Sequence, residues 1–178
     1  MKRTVLFLIG ITCSVLLFSQ SAVKTGDCGL NNFYRVDEGV YRSEQPDREQ
    51  FKALEKYGIK EVLNLRYWHS DRKYIKDLNI TGHRVKMNAH DANSYDVVRA
   101  LRIIKNRKGP ILIHCHHGSD RTGLIVAMYM IVFRNRTKKE AIDEMINGGF
   151  GFHKIYDNIP RYINSVDIDS IKKQLEVK

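Results

Sequence analysis

Ile111-Leu112-Ile113-His114-Cys115-His116-His117-Gly118-Ser119-Asp120-Arg121-Thr122-Gly123 is the stretch that sets the architecture. Its first three residues are apolar and β-prone, and Gly109-Pro110 precedes them, so they predict a short strand buried on both faces of a sheet. From Thr122 to Phe133 the chain is apolar on nearly every face, which predicts a central buried helix. Between strand and helix, five residues separate Cys115 from Arg121. A loop of that length can curl so that successive backbone N–H groups point inward and form a nest for a phosphate dianion. Gly118 permits the torsion this needs. The helix start adds its own free N–H groups and dipole at the same point. A strand, polar loop and helix in this order predict an α/β fold. Its central, mostly parallel sheet is flanked by helices, and the phosphate-binding loop lies at strand C-termini between a buried strand and the central helix.

Working outward, residues 33–36 and 40–42 flank the turn cluster Asp37-Glu38-Gly39 and read as a hairpin. Pro46 opens a helical stretch carrying Phe51 and Leu54, which Gly58 stops, and residues 59–65 supply a strand. A short helix over 74–78 and a strand over 82–87 follow. The loop 88–93 is polar. Asn93 or Ser94 caps the next helix, whose Val97, Leu101 and Ile104 share one face. Beyond the central helix, Thr137 and Glu140 form a capping box for residues 138–146, and the last helices are expected to pack on the core.

The chemistry of the loop follows from its residue types. A helix N-terminus with a cation nearby favours the thiolate of Cys115, which is the nucleophilic form. Arg121 can hold two phosphate oxygens through its planar fork, which a lysine cannot do. Thr122 is expected to donate its hydroxyl to the Cys115 sulfur and help it leave, which makes the reaction two-step. His116, His117, Gly118, Ser119 and Asp120 complete the phosphate-binding loop, with His114 supporting it from the strand.

These residues resemble the protein tyrosine and dual-specificity phosphatase superfamily, whose signature of His-Cys, five residues, Arg and Ser or Thr is met by His114, Cys115, Gly118, Arg121 and Thr122. The likeness is closer to the atypical dual-specificity phosphatases of bacteria and fungi. It rests on the Tyr-Arg-Ser-x-Gln-Pro segment from Tyr41 to Pro46, on Asn64-Leu65-Arg66 and on Gly148-Gly149-Phe150-Gly151-Phe152, and covers residues 33–163. It implies hydrolysis of phosphomonoesters through a phosphocysteine intermediate, without metal or other cofactor, on phosphoprotein or inositol phosphate and phosphoinositide substrates. The superfamily places its mobile general acid in the loop that holds Asp91; Asp120 is the rival, and Asp96 reads as a first-turn helix residue. Many inositide-directed relatives carry lysines in the loop where this chain has His116, His117 and Asp120.

Other readings compete less well. A metal site of His114, Cys115, His116 and His117 fails because adjacent residues at a strand end diverge and no separated pair completes the set. A rhodanese-type sulfurtransferase also sets a cysteine loop before a helix, but its loop is tighter and the flanking matches are missing. A silent phosphate-binding module would have no use for Cys115. Arg66 and Arg84 read as surface charges, Phe150, Phe152 and His153 as rim or core, Trp68 as structural or rim, and Lys172, Lys173 and Lys178 as a solvated face.

The first residues read as an address. Lys2 and Arg3 precede an apolar run over 5–18, and Ser19-Gln20-Ser21 places small residues for cleavage after Ser21. The run is shorter than the roughly 20 residues of a spanning helix. Cys13 sits within the run, so lipidation is not expected. Residues 1–21 are therefore expected to be a cleaved signal peptide, 22–32 a tail and 33–178 one phosphatase domain, exported to a bacterial periplasm or secreted. Loss of Lys2 and Arg3 lowers the net charge from +10 to +8. A basic surface steers anionic phosphoesters, with no specific nucleic acid partner and no integral membrane association expected. Only Cys28 and Cys115 then remain, too few for a disulfide framework, although the two can pair on oxidation.

Overall fold

The computed structural model describes residues 22–26 and 28–177; the expected signal peptide and Lys178 lie outside them. Six strands form one sheet in the order β1-β2-β3-β6-β4-β5. They are β1 (Val23–Lys24), β2 (Tyr34–Asp37), β3 (Val40–Ser43), β4 (Glu61–Arg66), β5 (Thr81–Met87) and β6 (Ile111–His114). β3, β6, β4 and β5 run parallel, and β1 and β2 extend the sheet antiparallel at one edge. The helices are α1 (Arg48–Tyr57), α2 (Arg72–Ile75), α3 (Ser94–Lys105), α4 (Asp120–Arg134), α5 (Lys138–Asn147), α6 (Asn158–Ser165) and α7 (Ile168–Leu175). The expected mostly parallel α/β fold is present.

β6 positions the site. Every one of its residues is buried, as a strand inside a sheet covered on both faces must be. Side chains alternate, so Ile111, Ile113 and Cys115 enter the core beneath α3 and α4 while Leu112 enters the second core beneath α1. His114 follows Leu112 toward α1, where its ring lies edge-on to Phe51. The alternation that buries the strand thus delivers Cys115 to the face where α4 begins.

Local signals end the elements where the residue types require. Asp47 and Gln50 form a capping box for α1, and Gly58 closes it at φ +109°. Asn93 caps α3, and Thr137 with Glu140 boxes α5. Several boundaries move by a few residues: the short helix lies at Arg72–Ile75, three residues before its expected end, β4 begins at Glu61 rather than at 59, β5 begins at Thr81, and α4 begins at Asp120, two residues early. The expected tail is also stitched into the domain. Val23 and Lys24 pair with Arg35 and Tyr34, because the exposed edge of β2 offers free backbone groups to any extended segment beside it.

Candidate active site

The loop after β6 is held by its carbonyls. Cys115 O lies 3.2 Å from His114 Nδ1, His116 O accepts from Gln45 N at 3.0 Å, His117 O from Asn32 Nδ2 at 2.8 Å and Gly118 O from Arg42 Nη2 at 2.7 Å. With four successive carbonyls engaged on the outside, the planar peptides turn their N–H groups toward the loop's inside. α4 starts at once after Ser119 and has no side-chain cap, so its first amides also serve this point. Gly118 is required twice over. Its φ is +72°, and a Cβ there would come within 2.5 Å of the Ser43 carbonyl.

Cys115 is 1% exposed at the bottom of this cradle, with Arg42 and Arg66 near enough to act on it electrostatically. Arg42, also 1% exposed, lies over the Phe150 ring at 3.8 Å. Burial lowers its guanidinium to about 10, opposed by the field of Cys115 and, more weakly, of Glu144 and Tyr34. A fully buried cation is costly to keep. Arg66 is half-buried rather than a free surface charge, because Gln45 Oε1 accepts from it at 3.3 Å and it stands beside Arg121. Arg84, expected at the surface, is likewise drawn in, donating to the carbonyls of Arg66 and Tyr67.

Behind the cradle, Asp71 organises a buried network. It accepts from His114 Nε2 at 2.8 Å, Asn64 Nδ2 at 2.9 Å and Gln45 Nε2 at 3.0 Å. Burial pushes its carboxyl up, but the hydrogen bonds from His114, Gln45 and Asn64 outweigh that and hold it below the ordinary range. Both ring nitrogens of His114 face acceptors, Asp71 on one side and Cys115 O on the other, which fixes the strand end just before the cysteine.

The opposite wall is open. A cavity of about 540 Å³ is lined by Arg121, Asp91 and Asn88 with Tyr67, Trp68, His90 and Tyr156, and Trp68 is 86% exposed on its rim. Arg121 donates to Met87 O at 3.4 Å and its Nε is buried without a partner among the described residues, so most of its fork is uncommitted. A larger cavity of about 620 Å³ touches Asp71 but neither Cys115 nor Arg121, so volume is no guide to the chemistry.

Of the two aspartates, Asp91 shares the cavity with Arg121 while Asp120 turns away. Asp120 Oδ1 accepts from His153 N at 2.9 Å, and both its oxygens lie within 3.1 Å of His153 Nδ1. Asp96 is tied to the α3 cap by Asn93. Ser119 Oγ donates to Phe150 O at 2.7 Å, anchoring the loop rather than facing its interior. His116 is exposed; burial, then His117, Arg66, Arg121 and His69, lower its imidazole below the usual range and favour the neutral ring. The expected bond from Thr122 to Cys115 is not made. Thr122 is fully buried in the first turn of α4, and its Oγ1 has no hydrogen-bond partner among the described residues. Cys28 packs against the cluster of Phe33, Phe51 and Leu112 on the α1 side of the sheet, whereas Cys115 belongs to the core on the other face.

A family model described as "Polymorphic toxin system, DSP-PTPase phosphatase" matches residues 36–135, a span that runs from the end of β2 through the whole loop and α4. The chain belongs to the DSP-PTPase phosphatase family. Among its relatives, the dual specificity protein phosphatase TpbA of Pseudomonas aeruginosa is 32% identical over 146 residues, covering 79% of this chain and 65% of TpbA. The inositol diphosphatase SIW14 of Saccharomyces cerevisiae is 30% identical over 152 residues, covering 80% of this chain and 53% of SIW14. The chain thus spans just under two thirds of TpbA and about half of SIW14. The crystal structure of TpbA superposes with a TM-score of 0.79 at 29% identity, covering 89% of this chain and 98% of that one. A TpbA variant in complex with pTyr gives the same TM-score at 28% identity and the same coverage. The core catalytic domain of SIW14, crystallised with citrate, gives 0.70 at 29% identity, covering 81% and 90%. Within this DSP-PTPase fold, sequence reasoning missed Asn32 and Asp71, and it noted Arg42 and Gln45 only as part of the Tyr41 to Pro46 segment, without their role at the loop. All four act on the loop from at least 43 positions away.

Proposed function

We propose that the protein hydrolyses phosphomonoesters through a phosphocysteine intermediate. The observation that carries this reading is the loop itself, whose four outward-bonded carbonyls leave an inward nest of amides at an uncapped helix start, with Cys115 beneath it. The Cys115 thiolate attacks phosphorus while Arg121 and the nest hold the equatorial oxygens, and the bond to the leaving oxygen breaks as Asp91 gives that oxygen its proton. Water then attacks phosphorus, Asp91 takes the proton back, and the sulfur leaves as thiolate. We assign Thr122, whose buried hydroxyl has no partner among the described residues, to supporting the departing thiolate in that second step.

The rim favours an aryl phosphate. Tyr67, Trp68, His90 and Tyr156 around Arg121 offer flat faces to a phosphotyrosine ring, and the pTyr complex of TpbA supports the same choice. A second reading, an inositol phosphate, is favoured by Arg66 beside Arg121 and by the name of SIW14. Export through the signal-like residues 1–21 is part of the proposal; among the described residues, no helix is long and apolar enough to cross a membrane.

The test is an activity panel with phosphotyrosine peptide, phosphoserine peptide and inositol phosphates in the presence of a chelator. Hydrolysis that survives chelation and is fastest on phosphotyrosine peptide is expected. Activity on none of them, or activity that chelation abolishes, overturns the reading.

A further inference from the structure

Three side chains from two distant segments meet beside the loop without a role in the chemistry above. His117 and Asp120 come from the loop and the first turn of α4, and His153 from the segment after α5. One ligand atom from each lies within 4.8 Å of the others, and His153 Nδ1 already sits 3.0 Å from Asp120 Oδ2. The His114, Cys115, His116 and His117 run, by contrast, is split. His114 is spent on Asp71 inside the sheet, and the His116 ring, 4.2 Å from that of His117, is not among the three groups whose ligand atoms converge. Only His117 turns toward His153, their rings 5.2 Å apart.

We propose that His117, Asp120 and His153 form a binding site for a zinc-type divalent ion. Two imidazoles and one carboxylate with a fourth position left to water are a donor set that suits zinc, whereas magnesium and calcium prefer oxygen ligands alone. Metal–ligand bonds of about 2.0–2.2 Å put tetrahedral ligand atoms roughly 3.4 Å apart. The His153–Asp120 pair, at 3.0 Å, is therefore a few tenths of an ångström too close, and no other pair exceeds the 4.8 Å within which all three atoms lie. Both histidines are exposed and can swing to close that gap, while Asp120 is buried and fixed by the His153 backbone amide. The ion replaces the proton by which His153 Nδ1 now meets Asp120. It also clasps the loop to the segment that Ser119 and Asn32 already hold at Phe150.

The site does not depend on Cys115 or on any catalytic step, so it is read by binding. Tag-free wild-type protein and Cys115→Ser are titrated calorimetrically with zinc, and with cobalt to record the visible spectrum of the bound ion. One equivalent is expected in both proteins, without a thiolate charge-transfer band in either. His117→Gln and His153→Gln should each weaken zinc by more than the 10–100-fold that loss of a ligand's supporting partner costs. Zinc should raise the unfolding temperature of the wild type and not of these variants. Melting curves without zinc show whether each variant is folded. Binding that persists in both folded histidine variants, or that is lost in Cys115→Ser, overturns the proposal.

Discussion

On its β3 side the loop from Cys115 to Arg121 is bolted down, with Gly118 pressed against the Ser43 backbone and Arg42 buried between Gly118 O and the Phe150 ring. On its other side stands the loop of residues 88–93, where Asp91 is exposed and its carboxylate is met, among the described residues, only by Asn93 Nδ2 at 3.4 Å. The first wall is built to hold an anion in one place and keeps a desolvated arginine to do it. The second is built from solvated side chains that can approach and withdraw. Binding a phosphate rewards preorganisation, while delivering a proton to varied leaving groups rewards freedom. The contrast predicts that damage to the first wall is felt as lost stability and damage to the second as lost turnover alone.

Gly118→Ala should break the bolted wall. A methyl group there must take a positive φ and displace the Ser43 backbone, at a cost of about 2–5 kcal/mol. Denaturant unfolding measures it, and a cost below about 1 kcal/mol would mean that the wall yields.

Asp71→Asn acts one layer deeper and should cost about 1–3 kcal/mol by weakening the bonds from His114, Asn64 and Gln45. The sign with pH follows from the lowered carboxyl. Its contribution is complete above the ordinary carboxylate range and is lost as pH falls through the depressed folded value. Wild type and variant should therefore differ most near neutrality and converge in acid. A gap independent of pH would place the effect outside this carboxylate.

Asp91→Asn should leave stability within about 0.5 kcal/mol, as for an exposed substitution. Its expected effect is on turnover, roughly 100-fold or more on a poor alcohol leaving group and little on an activated aryl phosphate. If Asp120→Asn shows that dependence instead, the acid lies on the bolted wall and the comparison fails.

How much of this was legible in the sequence tracks how local each signal is. The hairpin turn, the boxes at Thr137 and Glu140, the Gly58 stop and the buried β6 are written within a few neighbouring residues, and so is the Cys115 to Arg121 loop. Asp47 completed a box that Pro46 had only hinted at. The roles of Arg42 and Asp71 were opaque because nothing near them in the chain indicates that β3 ends and α2 begins beside the end of β6. A buried arginine carries the same letter as a solvated one, and Arg66 was misread for that reason. The tail was misread because a two-residue strand has no periodicity of its own; only the neighbouring edge of β2 gives it a place. His153 was seen as a rim residue, but its pairing with Asp120 spans 33 positions and required the fold.

The central claim is that Cys115 forms a covalent bond to phosphorus in the nest of amides. Rapid acid quench of the enzyme mixed with excess activated aryl phosphate, followed by intact-mass analysis and peptide mapping, tests it most directly. A fraction of protein heavier by one phosphoryl group is expected, mapped to Cys115, absent from Cys115→Ser, and decaying at the rate of phosphate release once substrate is spent. Turnover by Cys115→Ser at the wild-type rate, or phosphoryl transfer mapped to His116 or His117, would contradict it.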